Sequence, residues 1–597
     1  MSLLRRAVTL TAVWACLLSA WAGAAGAATF EVEVFSDEAD PAGCDADCSL
    51  REAIIAANDT PEADTVRLPP GVHQIGTEPG NGGPQTGDFD IAADLSIEPM
   101  GGGEVTIDGD DLDRVFDVAP GVELRLRDLR VANGAGAAGV DDGLDGGGIR
   151  TAGRVVLTRM LLESNLGRRW GGAVAVTAGG SLEAVNSTFK DNEAGTRGGA
   201  ISVSRNPGAD PDASVKLDQS VVTGNSLRDA SGEGGGIHAF ASTLVLDASE
   251  VSGNTAGVGG GIDVDNVASL TLRNSTVSGN RGTLASFGGV GGVLARGEVT
   301  TLIEDSTIAR NVAGSGAADY VHNTVASGST VRTTLRRALF AEGARDGGGA
   351  APACDIQADV TVDSAHSLAD DGSCRLGAPT DRPAAAPVLG ALGQNGGPTR
   401  THALGAGSAA IDAGGTGCPA TDQRGAGFPR PLGAACDIGA FEAPSSGAPD
   451  GDGDGFPDVS DNCPSVGNPD QANADGDASG DACEDDDDND GRADAADNCS
   501  LVANPGQENT DGAPDGGDAC DADDDGDGVA DVADNCALTP NREQEDRNRD
   551  GFGDVCQPGV SGTVELDDKP ADGALVVLCV FGGQCRQEAT DARGRYR

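Results

Sequence analysis

Residues 450–461 read DGDGDGFPDVSD, with carboxylates at Asp450, Asp452, Asp454, Asp458 and Asp461. Counted as a loop, these take positions 1, 3, 5, 9 and 12, and Gly455 takes position 6. Alternating oxygen ligands, a glycine at the sharp turn and a late carboxylate are what a calcium loop requires. The spacing recurs twice. Asp486, Asp488, Asp490, Asp494 and Asp497 repeat it around Gly491, and Asp523, Asp525, Asp527, Asp531 and Asp534 repeat it around Gly528. In each copy the first aspartate stands 13 residues before a cysteine: Cys463, Cys499 or Cys536. Shorter half-motifs follow. Asp546, Asn548, Asp550 and Asp554 fit well around Gly551, and Asp475, Asp477 and Asp481 follow Asn473 with Ala478 where glycine is usual. Around 509–518 an extra residue and Pro514 break the spacing. Many carboxylates in flexible loops suit an ion with 6–8 ligands at roughly 2.3–2.6 Å, which is calcium and not the water-retaining magnesium.

No helix-forming sequence flanks these loops, so they are not EF-hands. The stretch 450–557 resembles thrombospondin type 3 repeats. That resemblance implies a core of calcium ions, little secondary structure and sequential disulfides, Cys463–Cys483, Cys499–Cys520 and Cys536–Cys556. The same 108 residues hold 33 acidic side chains and 4 arginines. Such a segment repels itself and stays extended unless cations neutralise it.

The whole chain is acidic too, with a net charge of −55 over 597 residues. That excludes nucleic acid and anionic membranes as partners and favours cations. Arg5 and Arg6 precede an apolar run, Ala7 to Trp21, and then small residues to Ala28, the pattern of an export signal. Residues 1–28 are therefore expected to be removed, leaving no transmembrane segment in the mature chain. Cys16 goes with them and fourteen cysteines remain. They fall into neighbouring couples: Cys44/Cys48, Cys354/Cys374, Cys418/Cys436, Cys463/Cys483, Cys499/Cys520, Cys536/Cys556 and Cys579/Cys585. Sequential disulfides are the economical reading, metal-bound thiolates the rival, and spacing alone does not fix connectivity.

Upstream of these loops the chain repeats itself, from about residue 120 to 315. Asn165, Asn192, Asn225, Asn254, Asn280 and Asn311 recur every 26–33 residues. Eight residues before them stand Leu157, Ala184, Leu217, Leu246, Leu272 and Ile303, and ten before stand Val155, Leu182, Val215, Leu244, Leu270 and Thr301. Apolar residues two apart are inward strand positions, and one set per period is a solenoid signature. Paired glycines, such as Gly198-Gly199 before Ala200-Ile201, open a second strand after each Asn. The spacing predicts a right-handed parallel β-helix of seven to eight coils with a ladder of stacked asparagines. Gly198-Gly199-Ala200-Ile201 and Phe189-Lys190-Asp191-Asn192 resemble the GGAI and FxxN signatures of polymorphic outer-membrane adhesins.

Ser49 and Glu52 form a capping box ahead of an amphipathic helix whose apolar face is Leu50, Ala53, Ile54 and Ala57. Asn58 is expected to end that helix in a left-handed conformation. Cys48-Ser49-Leu50-Arg51-Glu52-Ala53 resembles the signature of CSLREA-domain proteins, exported surface proteins in which this helix precedes a β-helix. Further on, SAAIDAG (408–414), Asp422-Gln423-Arg424-Gly425 and Cys436-Asp437-Ile438-Gly439-Ala440-Phe441-Glu442 resemble the choice-of-anchor Q domain, which implies a closing cap with a structural ion network. Thr590 to Tyr596 resembles a turn of carboxypeptidase-regulatory-like β-sandwiches.

The fold class expected is all-β: a pectin-lyase-like solenoid, calcium-binding repeats and a truncated β-sandwich. The expected division is 1–28 signal; 29–100 cap and first coils; 101–345 β-helix; 354–442 closing domain; 443–449 linker; 450–557 calcium repeats; 558–597 sandwich. No catalytic residue is assigned. Asp263 and Asp265 share one strand face and Asp141, Asp142 and Asp145 one loop, and the expectation is that the strand pair is outward and solvated. The function expected is that of an exported calcium-binding surface protein, for adhesion or surface presentation, with a polysaccharide or another surface protein as partner. A secreted polysaccharide lyase or glycoside hydrolase is the alternative.

Overall fold

The computed structural model describes residues 27–556 except 36, 38–43, 45–47, 61–62, 77–86, 102, 137–144, 178, 206–211, 286–288, 324–330, 445–449, 453, 455–457, 459–460, 469–471, 473, 476–478, 514–515, 532–533, 546–552 and 554. Between 562 and 596 it describes the backbone of strands alone. The chain forms two compact units, 1–464 and 465–597.

The first unit is a parallel β-solenoid. One 12-stranded sheet runs from Thr29–Glu31 to Thr361–Ala365. A 10-stranded sheet runs from Phe89–Ile91 to Cys354–Ile356, and a third, 12-stranded, from Gly71–Gln74 to Arg382–Pro383. Seven two-residue strands, Leu166–Gly167 to Ala344–Arg345, make a short fourth face. The solenoid therefore exceeds the seven to eight coils expected. It takes in residues 64–132 upstream of the asparagine column, and 354–383, which the sequence assigned to a closing domain.

Register explains the repeat. In the first sheet Leu157, Ala184, Leu217, Leu246, Leu272 and Ile303 fall opposite one another, as do Val155, Leu182, Val215, Leu244, Leu270 and Thr301. All twelve are buried in one continuous interior. At Thr301 that interior turns polar, and Tyr320, His322 Nδ1 and Thr333 hydrogen-bond one another there at 2.7–3.1 Å, with the buried His322 Nε2 left without a partner among the described residues. The asparagines form a buried ladder. Each side-chain amide from Asn165 to Asn280 donates to the next asparagine carbonyl at 2.8–3.0 Å, and Asn311 donates to Asp319 at 2.9 Å. Burial pushes the Asp319 carboxyl well above its ordinary range. A second column of serines, Ser187, Ser220, Ser249, Ser275 and Ser306, accepts the backbone amide of the preceding coil. Each such row satisfies backbone groups that solvent cannot reach.

The helix α1 (Leu50–Asn58) covers the first coils, and its capping box is formed by Ser49 and Glu52. Asn58 is not left-handed. The helix ends at Asp59 in right-handed geometry, and the Asn58 side chain pairs with the sheet edge instead: it donates to the Asp90 carbonyl at 2.7 Å and accepts from Ala92 at 2.8 Å. An edge strand offers unpaired backbone groups, and these outcompete a helix stop.

Residues 389–443 lie along the outside of the third sheet. Arg400 pairs with the buried Glu250 at 2.6 Å, His402 meets Ser278 at 2.8 Å and Gln423 accepts from Thr276 at 2.6 Å. Arg424 binds Asp422 at 2.7 Å between the rings of Phe428 and Phe441, and Arg430 bridges Glu442 and Asp305, each at 3.1 Å. Disulfides join Cys44–Cys48, Cys354–Cys374 and Cys418–Cys436. The C-terminal strands include an antiparallel pair that sets Cys579 opposite Cys585. No helix among the described residues is long and apolar enough to cross a membrane, and most of the 1–28 segment lies outside those residues.

Candidate functional site

Among the described residues the three acidic loops share several hydrogen bonds. At position 6 the chain must turn with positive φ, and Gly491 and Gly528 both sit at 93°, a conformation only glycine adopts freely. Their amides donate back to the position 1 carboxylates, Asp486 at 3.1 Å and Asp523 at 2.9 Å. The position 2 amides of Gly451, Asp487 and Asp524 donate to Asp458, Asp494 and Asp531 at 2.7, 2.9 and 2.9 Å. The amides of Cys463, Cys499 and Cys536 donate to Asp461, Asp497 and Asp534 at 2.7–2.8 Å. Asp490 and Asp527 receive the amides of Asn504 and Asn541. In the second and third loops the carboxylates at positions 1, 3 and 12 are each held by one oxygen and keep the other for a ligand, whereas Asp490 and Asp527 at position 5 accept an amide at both oxygens.

The aimed oxygens converge. Asp450, Asp452 and Asp454 place one oxygen each within 4.8 Å of the others, as do Asp486, Asp488 and Asp490, and Asp523, Asp525 and Asp527. That span is about twice a calcium–oxygen distance of ~2.4 Å, so one ion reaches all three. Buried oxygens of Asp452, Asp486, Asp488, Asp497, Asp523, Asp525 and Asp534 have no hydrogen-bond partner among the described residues. Buried polar atoms are almost always paired, and a row of orphaned carboxylate oxygens fits a hard cation that prefers oxygen. The position 3 carboxyls of Asp452, Asp488 and Asp525 are raised, through desolvation first and neighbouring carboxylates second.

Asp475 and Asp481 are not drawn into such a triad among the described residues; Asp475 receives Asn489 at 2.6 Å and Asp481 the Ala474 amide at 2.8 Å. Asp477, Asp546, Asn548, Asp550 and Asp554 lie outside the described residues. Two aspartates escaped the sequence reading. Asp487 and Asp524, at position 2, each bury an orphaned oxygen, and both carboxyls are pushed up to about 6 by desolvation and then by Asp494 or Asp531. The signal was present: these two loops have aspartate where the first has Gly451.

Disulfides Cys499–Cys520 and Cys536–Cys556 close the loops, and Cys463 and Cys483 are each disulfide-bonded. The thrombospondin type 3 repeat family model matches residues 448–471, 472–507 and 510–544. This acidic stretch is a run of thrombospondin type 3 repeats. Those repeats occupy a minor part of the chain. No curated protein matches the sequence. Among solved structures the chain is similar to pectate lyase Pel9A (15% identity, TM-score 0.40, covering 70% of this chain and 97% of that one). A rhamnogalacturonan lyase (12%, 0.34, 57% and 87%) and the A-module of the Azotobacter vinelandii mannuronan C-5 epimerase AlgE6 (16%, 0.24, 56% and 99%) are also similar.

On the solenoid, Asp263 and Asp265 are not a solvated pair. Asp263 is fully buried and Arg296 binds it at 2.9 Å, Glu233 at 2.8 Å and Asp265 at 3.5 Å. His238 lies beside Asp263 in register, also fully buried. The glycine turn before each strand folds back over this face, since a Cβ on Gly259 would meet the Asp263 Cβ at 2.9 Å. Of the loop acids, Asp145 is buried and paired with Arg169 at 2.6 Å, while Asp141 and Asp142 lie outside the described residues.

Proposed function

We propose that this chain is an exported, calcium-binding surface protein in which the solenoid is presented for adhesion and the thrombospondin type 3 repeats take their shape from bound calcium. The observation that carries the reading is the set of orphaned carboxylate oxygens in register-matched loops. The residues expected to hold calcium are the position 1, 3, 5 and 12 aspartates, with Asp487 and Asp524 as additional ligands. The likeness of 48–53 to CSLREA-domain proteins and of 408–442 to the choice-of-anchor Q domain supports surface placement, and the disulfides support an oxidising compartment. A polysaccharide or another surface protein is the partner class the reading favours.

Limited proteolysis of the full chain tests the calcium role. In calcium the repeats should resist cleavage. In EDTA, cuts should appear between 450 and 557 while the solenoid survives, and an unchanged pattern would contradict the reading. Labelling of intact producing cells tests surface placement. Release of products from a polysaccharide that disappears in Asp263→Ala would instead favour a lyase or hydrolase.

A further inference from the structure

A cavity of about 520 Å³ lies between α1 and the outer face of the 10-stranded sheet, lined by Ile55, Asn58, Asp90, Val118, Pro120 and Arg150 among others. Successive coils carry the same pattern, Phe89-Asp90-Ile91 and Phe116-Asp117-Val118. Register sets Asp90, Asp117 and Arg150 in one outward row, while Phe89 and Phe116 pack inside with ring centroids 5.7 Å apart.

The charges around this row are already matched, with one omission. Arg150 binds Asp117 at 2.9 Å, and Arg114 binds Asp88 at 2.5 Å and Asp117 at 3.3 Å. Arg51, from α1, binds Asp37 at 2.6 Å. Asp59, at the end of α1, is exposed. Asp90 is half-buried on the cavity wall, and among the described residues its carboxylate has no hydrogen-bond or ion-pair partner. A carboxylate withdrawn from water without a partner is costly. Every cation facing it serves another acid.

We infer that this cavity binds an alkylammonium group of the kind a lysine side chain carries, its ammonium on Asp90 and its carbon stem along Ile55, Ala119 and Pro120. The alternatives fit worse. Calcium wants 6–8 oxygens, and the walls beside Asp90 are largely carbon. An anion would face Asp59, Asp90 and Asp117 with only one arginine, itself engaged. A neutral sugar would leave the charge uncompensated. Desolvation, then Asp88 and Asp117, push the Asp90 carboxyl up to about 6 against the opposing pull of Arg114 and Arg51. A bound ammonium would relieve that repulsion, and a lysine amine stays charged throughout the range where Asp90 titrates.

The test is titration of the full chain, in saturating calcium, with Nα-acetyl-lysine methylamide, using Nα-acetyl-norleucine methylamide as the uncharged control of equal stem. The lysine probe should bind saturably and the norleucine probe should not. Asp90→Asn should weaken binding about tenfold or more, the scale of one charged hydrogen bond. Ala92→Trp, which fills the cavity while leaving every charged residue of its lining in place, should do the same. Affinity should fall about tenfold from pH 7.5 to pH 5, because an acid near 6 keeps roughly a tenth of its charge there. Failure of the lysine probe to bind, equal binding of both probes, or unchanged affinity in a folded Asp90→Asn would overturn the assignment.

Discussion

The solenoid and the acidic repeats solve the same problem with opposite materials. Between 29 and 443 the interior is apolar, and nearly every inward strand residue is buried. Among the described residues between 450 and 556 the buried apolar side chains are three cysteines, Cys463, Cys499 and Cys536, while Val466, Leu501, Val502, Leu538 and Val555 face solvent. The orphaned polar atoms reverse the pattern: carboxylate oxygens dominate them in the repeats and are few in the solenoid. Burial of apolar area stabilises the first region without help. Among the described residues the second buries almost no such area, and under the proposed calcium role its folding and its metal binding are one equilibrium.

The largest effect should come from removing the metal. Calorimetry in calcium should show a transition that EDTA abolishes, and another that EDTA leaves in place. A single transition insensitive to EDTA would erase the contrast. Next comes Leu246→Ala, which hollows the shared interior. It should cost the solenoid about 2–5 kcal/mol, read as a lower melting temperature of the EDTA-resistant transition alone. Removing Cys499 and Cys520 together should lower the calcium-dependent transition by about 2–4 kcal/mol. Asn254→Ala breaks the ladder from both sides, leaving the Asn225 amide without its Asn254 acceptor; about 1–3 kcal/mol should be lost from the solenoid.

The smallest effect is a pH dependence. Burial holds Asp263 at about 7, above its ordinary 3.8, with Arg296 pulling it down and Glu233 and Asp265 pushing it up. The folded state therefore binds the proton more tightly than the unfolded chain, and this contribution to stability is lost as pH rises from about 4 to about 7. His238, held at about 3 by burial, acts in the opposite sense below 6.5, so wild type alone is ambiguous. Asp263→Asn should gain stability relative to wild type across pH 4 to 8. A constant difference between the two would show that Asp263 does not titrate in that window.

Much of this was written in local sequence. Ser49 and Glu52 announce the helix start, and the asparagine and serine columns announce the coils, because stacking identical residues in a ladder leaves a period. The coils at 64–132 lack that column, so their number was underestimated. Asp263 reads as outward by alternation, and so it is, but the turn that covers it belongs to the chain's path and not to the strand. The packing of Arg400 on Glu250 spans 150 residues, and no spacing encodes it. The calcium loops were legible because oxygen geometry is itself a spacing rule. Asp487 and Asp524 were passed over because position 2 carries no ligand in that rule.

The proposed role of the acidic repeats depends on calcium held in defined cages. Equilibrium calcium titration of the full chain measures this directly. The prediction is saturable uptake that tracks protection of 450–557 from protease and falls when Asp488 and Asp525 are both changed to Asn. Uptake that fails to saturate at millimolar calcium, or that ignores those two substitutions, would contradict it.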